Sequence, residues 1–115
     1  MATVRATSAF QKQASRLIKK YASLTKELEH LETLLEKTPN YGTPLGKNCF
    51  KIRLAVKSKG KGKRSGMRVI THLLVSVERG NRYQDDVVYL LALYDKSEQE
   101  TLSDQDLRLL LNEIG

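Results

Sequence analysis

The sequence predicts an α+β domain in which two N-terminal helices pack on a small antiparallel β-sheet of three to four strands, with a short C-terminal helix. Three observations support this fold class. Apolar residues recur at spacings of three and four through the first third of the chain, as in amphipathic helices. From Cys49 the apolar spacing changes to two, which is typical of strands. The strand patterns follow one another directly, so we expect hairpins and an antiparallel sheet.

The chain begins with a segment that favours extended structure. Residues 1–7 include Thr3 and Val4 and predict a short edge strand or a frayed start. Ser8 is a suitable N-cap for the first helix. The apolar face of this helix is formed by Phe10, Ala14, Leu17, Ile18 and Tyr21.

A second helical pattern follows. Its apolar face is formed by Leu24, Leu28, Leu31, Leu34 and Leu35. Ser23 or Thr25 is a suitable cap, and Pro39 ends the helix. The two patterns predict either a helical hairpin or one long helix kinked near Ala22-Ser23. Residues 40–48 are rich in Gly and Pro and predict a turn-rich link.

Three strands and a helix are predicted after this link. From Cys49 onward, apolar residues alternate with Lys51 and Arg53, so the first strand has one basic face. The segments that follow are a Lys/Gly loop (58–65), a second strand (67–77), a polar hairpin connection (78–86) and a third strand (87–94). Ser103, with Asp106 three residues later, predicts the start of the last helix. The apolar face of that helix is formed by Leu107, Leu110, Leu111 and Ile114.

The length and composition predict a single domain over residues 1–115. No apolar run approaches the roughly 20 residues that a membrane-spanning helix needs, so we expect no membrane association. The first residues lack the apolar stretch of a signal peptide, and Cys49 has no second cysteine with which to form an internal disulfide. We therefore expect a soluble, cytoplasmic protein.

Positive charge is concentrated in one segment. The net charge is +7, and half of the 20 basic residues lie between Glu36 and Glu78, where there is no acid. A basic surface can bind nucleic acid, anionic lipid or an acidic protein. Because strands flank the segment from Lys47 to Arg68, we expect it to form an RNA-binding face rather than a solvated loop. The residues expected to bind RNA through charge are Lys47, Lys57, Lys59, Lys61, Lys63 and Arg64.

Phosphate-loop and metal sites are not predicted. Two Gly/Lys segments, residues 42–48 and 60–66, depart from the spacing of a P-loop. Cys49, His30 and His72 are too few for a four-ligand zinc site. We interpret Cys49 as a small core residue, His30 as a surface residue and His72 as structural, and we predict no metal and no cofactor.

A cluster of basic and aromatic residues is the remaining candidate site. Lys51 and Arg53 leave their strand on the same face, and hairpin pairing can bring Arg68 beside them. Tyr94 and Lys96, at the end of the third strand, can reach the same face. Such a cluster can neutralise phosphates and stack a base, or it can assist attack of a 2′-hydroxyl on the adjacent phosphate. Taken alone, the residues favour plain binding over catalysis.

Four segments occur in a recognisable order. They are Phe50-Lys51-Ile52-Arg53-Leu54, Gly60-Lys61-Gly62-Lys63-Arg64-Ser65-Gly66, Met67-Arg68-Val69-Ile70, and residues 87–98, which end in Tyr94-Asp95-Lys96-Ser97-Glu98. Together they resemble the RelE/ParE superfamily of bacterial toxins, and within it the HigB-like branch. The resemblance implies the toxin of a type II toxin–antitoxin system: a ribosome-dependent endoribonuclease that cuts mRNA. It implies as partners the mRNA, the ribosome and an antitoxin with a helix-turn-helix domain.

The resemblance also implies roles for single residues. Lys51 and Arg53 would face the mRNA backbone, and Arg68 would stabilise the scissile phosphate. Tyr94 and Lys96 match family positions at the end of the last strand.

Two positions depart from the family pattern. The RelE pattern has a further arginine just after the last strand, where this chain has Gln99. It also has a C-terminal tyrosine, whereas this chain has Ser103 near that position. The general acid is therefore left unassigned. The alternatives are a ParE-like gyrase inhibitor, a branch that lacks the catalytic cluster, and a plain RNA-binding or ribosome-binding module.

Overall fold

The computed structural model describes residues 1–60, 66–75, 86–98 and 102–114. In chain order the elements are β1 (Thr3–Ala6), α1 (Ser8–Lys20), α2 (Leu24–Lys37), β2 (Thr43–Gly46), β3 (Cys49–Leu54), a 3₁₀ turn (Lys57–Lys59), β4 (Met67–Leu74), β5 (Val87–Asp95) and α3 (Asp104–Asn112). The mixed α/β architecture, the two N-terminal helices and the short C-terminal helix confirm the prediction. The predicted RNA contacts Lys61, Lys63 and Arg64, and nearly all of the connection at residues 78–86, lie outside the described residues.

The sheet has five strands in the order β1-β5-β4-β3-β2. The predicted range of three to four strands, all antiparallel, was therefore wrong in both respects. β1 pairs with β5 in parallel, from Thr3 opposite Val87 to Ala6 opposite Leu90, and the other three pairings are antiparallel. A four-residue strand carries too short a pattern to reveal its partner, because pairing with β5 is fixed by packing far along the chain.

The predicted link at residues 40–48 contains β2. Its hairpin to β3 turns through Lys47 and Asn48, whose φ angles are both near +55°. Positive φ at both central residues is the geometry of a type I′ hairpin turn, which fits the twist of the flanking strands. Pro44 is tolerated because β2 lies at the sheet edge. The turn-rich composition therefore concealed a short edge strand.

Helices α1 and α2 cover one face of the sheet. Their side chains and those of three strands form one buried apolar cluster. Its members are Phe10, Leu17, Leu24, Leu31, Leu35, Ile52, Val56, Met67, Val69, Val88, Leu90 and Leu93. Burial of this many large side chains, at roughly 1.5–3 kcal/mol each before the entropy of folding is counted, is what holds the helices on the sheet. Among the described residues no helix combines the length and apolar character needed to cross a bilayer.

Helix α3 packs on the opposite face. Its Leu107 joins a second buried cluster of Cys49, Ile70, Leu91 and Tyr94. The helix begins with the predicted capping box, in which Ser103 and Asp106 exchange side-chain and backbone hydrogen bonds. The burial of Cys49 confirms its interpretation as a small core residue.

The predicted start was wrong for the first helix, whereas the predicted cap position of the second helix, Ser23, is confirmed. Thr7, not Ser8, is the N-cap of α1, and its hydroxyl accepts a hydrogen bond from the Phe10 N–H. Ser23 holds the N-cap position of α2 without a side-chain cap bond. The break at residues 21–23 makes two helices, which excludes the alternative of one kinked helix.

A bulge in β5 changes which residues share a face. Ile70 pairs with Ala92 and Thr71 with Leu90, so Leu91 is an extra residue on β5. Leu91 and Ala92 both pack in the cluster beneath α3. Bulges redirect side chains in this way, and here the bulge brings Tyr94 onto the α3 side of the sheet.

Candidate functional site

Three polar residues form a row across the three inner strands, near one end of the sheet. Arg53 on β3 lies directly opposite Arg68 on β4, and Arg68 lies directly opposite Tyr94 on β5. Directly opposite residues in an antiparallel pair share a face and stand about 5 Å apart at their Cβ atoms. Tyr94 packs in the α3-side cluster, so the row lies on the face away from α1 and α2. We call this set of three residues the arginine–tyrosine row.

Arg68 is the buried centre of this row. It is only 4% exposed, whereas Arg53 is exposed to solvent. Its Nη1 donates a hydrogen bond to the Met67 carbonyl oxygen at 3.1 Å. Burial lowers the pKa of Arg68, and the like charge of Arg53 lowers it further, while Tyr94 acts in the opposite direction. The guanidinium remains a cation at neutral pH, and its environment strengthens its attraction for an anion.

Tyr94 is 7% exposed and packs beneath α3. Burial raises the pKa of its phenol, and the positive charge of Arg68 opposes that shift. The phenol is therefore protonated at neutral pH, so its O–H is available to donate a hydrogen bond.

Lys51 and Lys96 lie next to the row in different ways. Lys51 is half-buried, two residues before Arg53 on the same face of β3, and its strand partner is the buried Ile70. Lys96 is exposed in the turn after β5, and its backbone N–H donates to the Gly66 carbonyl at 3.3 Å. The two lysines thus flank the row from two directions, along β3 and beyond the end of β5.

Asp95, which sequence reasoning did not select, is the best-connected polar residue near the row. It is fully buried, and its carboxylate accepts hydrogen bonds from Tyr21 Oη at 3.1 Å and from Ser97 N and Oγ at 3.0 and 2.8 Å. Lys59 Nζ lies 2.5 Å from Asp95 Oδ1. Burial raises the pKa of this carboxyl, but the four hydrogen bonds outweigh burial and lower it to about 2. An acid at the end of an apolar strand was the one signal that could have identified it.

The contact with Asp95 changes the interpretation of Lys59. Only 10% of the Lys59 side chain is exposed, and its ammonium also lies over the Tyr21 ring, 5.2 Å from the centroid. In this conformation the charge of Lys59 is neutralised inside the protein rather than presented to RNA. Lys59 therefore acts in the structure as an anchor between the 3₁₀ turn and the end of β5.

The 3₁₀ turn is also attached to the helices. The Lys57 N–H donates to Glu27 Oε2 at 2.8 Å, and the Ser58 N–H donates to Ser23 Oγ at 3.0 Å. The Lys57 side chain itself is exposed. These hydrogen bonds hold the start of the basic loop to the junction of α1 and α2. They therefore fix the position of the Lys57 backbone, from which the exposed side chain extends into solvent.

Other predicted residues lie at the opposite end of the sheet. Lys47 is in the turn before β3, whereas Arg53 is near the end of that strand. His72 lies four residues beyond Arg68 on β4, or roughly 13 Å along the strand. Its Nδ1 is 3.5 Å from the Sγ of Cys49, whose pKa is raised by burial and lowered to a smaller extent by Lys47. His72 is thus too far from the row to act on the same phosphate.

The described residues contain no group of three or more His, Cys, Asp or Glu side chains arranged to hold a metal ion. No protein-family model matches the chain, and no curated protein matches it.

Proposed function

We propose that this chain is a ribosome-dependent endoribonuclease that cleaves mRNA, acting as the toxin of a type II toxin–antitoxin system. The arginine–tyrosine row is the observation that supports this most. Two guanidinium groups and a phenol in register suit an RNA phosphate, since the cations match its charge and the phenol can donate to an oxygen. The resemblance of the same segments to RelE/ParE toxins is the second support.

Arg68 is proposed to bind the scissile phosphate, with Arg53 beside it. Negative charge grows on the phosphate oxygens as the attacking oxygen approaches, and fixed cations stabilise that charge most where water is excluded. The burial of Arg68 provides such a setting. Arg53, which is exposed, is suited to attracting and orienting the RNA backbone.

The proposed reaction needs two proton transfers. The 2′-oxygen forms a bond to phosphorus while the bond from phosphorus to the 5′-oxygen breaks, leaving a 2′,3′-cyclic phosphate and a 5′-hydroxyl. A base takes the 2′-hydroxyl proton and a donor supplies a proton to the departing 5′-oxygen. Tyr94 suits the donor because its phenol is protonated at neutral pH. We assign the base to Lys51 or Lys96, the two lysines that flank the row.

Docking on the ribosome is assigned to the exposed basic residues. Lys47 and Lys57 are exposed on either side of β3, and the net charge of +7 favours ribosomal RNA as a partner. Contacts of this type weaken steeply with salt because bound counterions are released. An antitoxin with a helix-turn-helix domain is proposed as the partner that holds the enzyme inactive, on the strength of the resemblance.

A second candidate function is plain RNA or ribosome binding without cleavage. The burial of Arg68 and Tyr94 favours it, because a side chain that contacts a scissile phosphate must be reached by RNA. In that case Arg68 would hold the sheet together and the exposed Arg53 would contact RNA.

The deciding experiment combines purified protein with ribosomes that are translating a defined mRNA. Primer extension and end-group analysis should reveal new 5′-hydroxyl ends that depend on translation. Arg53→Ala should reduce cleavage, and because Arg53 is exposed the variant should fold normally. Arg5→Ala, at an exposed arginine on β1, is the matched control and should cleave as the wild type does.

The outcomes separate the candidates. Intact mRNA with protein bound to ribosomes would support the plain binding module and reject the nuclease. Intact mRNA together with DNA damage on induction would indicate the gyrase inhibitor instead.

A further inference from the structure

The outer edge of β5 is only half covered. β1 pairs with residues 87–90 of β5, and the chain then leaves the sheet at Thr7. The Thr7 N–H and hydroxyl donate to the Leu90 carbonyl at 3.1 Å, and the hydroxyl also lies 3.3 Å from the Leu91 carbonyl. Within the part of the chain that the structure describes, no strand pairs with this edge beyond those contacts. The second half of β5 therefore offers backbone groups for a further strand.

A groove of about 640 Å³ runs beside this open edge. It is lined by residues 91–94 of β5, four in succession. The side chains of successive strand residues point to opposite faces of the sheet. Four successive residues therefore line the same groove because the groove follows the edge of the strand. α1 forms one wall with Lys12 and Arg16, and α3 forms the other with Leu109 and Leu110. Leu109 is 61% exposed and stands next to the half-buried Leu110 on this wall.

The groove is bounded at both ends. At one end Thr7 caps α1 and bonds to the Leu90 carbonyl. At the other end Arg16 and Glu98 form an ion pair with N–O distances of 3.2 and 3.3 Å. Four strand residues span roughly 13 Å between these ends. The space therefore matches an extended segment of about four residues.

The two walls differ in charge. α1 contains four basic residues and no acid, and within the described part of the chain Lys12 has no ion-pair partner. The α3 wall carries Asp106 and Glu113 around the exposed Leu109 and the half-buried Leu110. Acidic side chains of an incoming strand are therefore attracted to the α1 wall and repelled from the α3 wall.

We propose that this groove binds an extended segment of a partner polypeptide by strand addition to β5, and that acidic and apolar residues alternate along that segment. The backbone of the segment would continue the edge that β1 begins. Its acidic side chains would meet Lys12, since Arg16 is already paired with Glu98, and its apolar side chains would meet Leu109 and Leu110. The inference is independent of the endonuclease proposal, although Tyr94 borders both surfaces.

A synthetic decapeptide of alternating glutamate and valine is the probe for this groove. Its binding to the full chain is followed by amide NMR shifts and by hydrogen exchange. We expect shifts confined to the groove and slower exchange at alternate amides of residues 91–94. A lysine–valine peptide, and a peptide with the glutamates and valines in two blocks, should bind at least about tenfold more weakly.

Two charge-reversal variants complete the test. Lys12→Glu should weaken binding of the glutamate–valine peptide about tenfold and improve binding of the lysine–valine peptide. Lys26→Glu, on the exposed side of α2, is the matched control and should change neither affinity. Equal affinity for all three peptides, or shifts elsewhere on the surface, would overturn the proposal. Concentration-dependent protection of the same amides without peptide would show a second copy of the chain in the groove, which also overturns it.

Discussion

Lys59 Nζ lies 2.5 Å from Asp95 Oδ1, in an ion pair that joins the turn after β3 to the last residue of β5. The two elements are far apart in the chain, and both border the arginine–tyrosine row. The pair therefore fixes the ends of the strands on which Arg53 and Tyr94 stand.

Asp95→Asn is expected to destabilise the fold by roughly 3 kcal/mol. The amide cannot neutralise Lys59, and breaking a buried ion pair by removing one partner leaves the other charge uncompensated. Urea unfolding followed by circular dichroism measures the loss. Asp104→Asn, at an exposed position in the first turn of α3, is the control and should change stability by under about 1 kcal/mol. Equal losses in the two variants would contradict the importance of the pair.

Stability is expected to fall as the pH is lowered from about 4 to about 2. The pKa of Asp95 is about 2 in the folded protein and 3.8 ordinarily, so the unfolded chain binds more protons in this range. The depressed pKa therefore contributes stability above pH 4, about 2 kcal/mol, which is lost as the pH falls through 2. The measurement is the free energy of unfolding as a function of pH. In the Asp95→Asn variant the free energy of unfolding should fall less steeply between pH 4 and pH 2 than in the wild type. If both proteins lose stability equally in this range, the loss does not come from Asp95.

Thr71→Val is expected to stabilise the protein by about 1 kcal/mol. Thr71 is fully buried on the α1–α2 side of β4, and no described residue hydrogen-bonds its Oγ1. Valine has nearly the same shape and removes an unsatisfied polar group from the core. Thermal unfolding measures the change. Thr71→Ser keeps the hydroxyl, loses the methyl group and should destabilise, so a destabilised valine variant would show that the hydroxyl has a partner.

Gly42→Ala and Gly46→Ala are expected to differ, although both glycines have positive φ. A Cβ on Gly42 would lie 2.8 Å from the Lys51 carbonyl oxygen and 2.9 Å from Ile52, whereas a Cβ on Gly46 meets nothing within 4 Å. The free energy of unfolding of the Gly46→Ala variant should fall by about 1 kcal/mol, because of backbone strain alone. The Gly42 variant should lose roughly 2–4 kcal/mol because the strand must also move. Chemical denaturation of the two variants side by side is the test, and similar losses would mean that β2 shifts freely.

Tyr94→Phe separates the two possible tasks of the phenol. If Tyr94 donates a proton to the departing oxygen, loss of the hydroxyl should slow mRNA cleavage roughly 100-fold or more while RNA affinity is unchanged. If the ring only packs beneath α3, the rate should be nearly unaffected. Single-turnover cleavage on translating ribosomes measures the rate, and filter binding measures affinity. Tyr41→Phe, at an exposed tyrosine before β2, is the matched control.

The strands and helices that carry long periodic patterns could be predicted from the sequence. The alternation from Cys49 and the apolar run from Val87 gave β3 and β5 within a few residues, and Ser103 with Asp106 gave the start of α3. Of the short elements, β1 was predicted as one of two alternatives for residues 1–7 and does lie at the sheet edge, whereas β2 was not predicted. β1 and β2 have four residues each, and neither their pairing nor their direction is encoded locally.

The candidate site divides in the same way. Alternation along β3 and a hairpin to β4 were enough to propose Arg53 beside Arg68. The attachment of Lys59 to Asp95 could not be foreseen, because Lys59 sits in a Lys/Gly stretch that resembles a solvated loop and its partner is 36 residues away. A buried ion pair depends on where the chain returns in space, which a local pattern does not specify.

The parallel pairing of β1 with β5 has a consequence for how the chain folds during synthesis. Thr7 and Leu91, whose contact marks the end of this pairing, are 84 residues apart. The helices and the β2–β3 hairpin can form from neighbouring residues, but the sheet cannot close until β5 has emerged from the ribosome. Contacts between residues so far apart in the chain slow folding, and they leave β1 unpaired and exposed until β5 has been synthesised. The first strand to be made is therefore the last to find its partner.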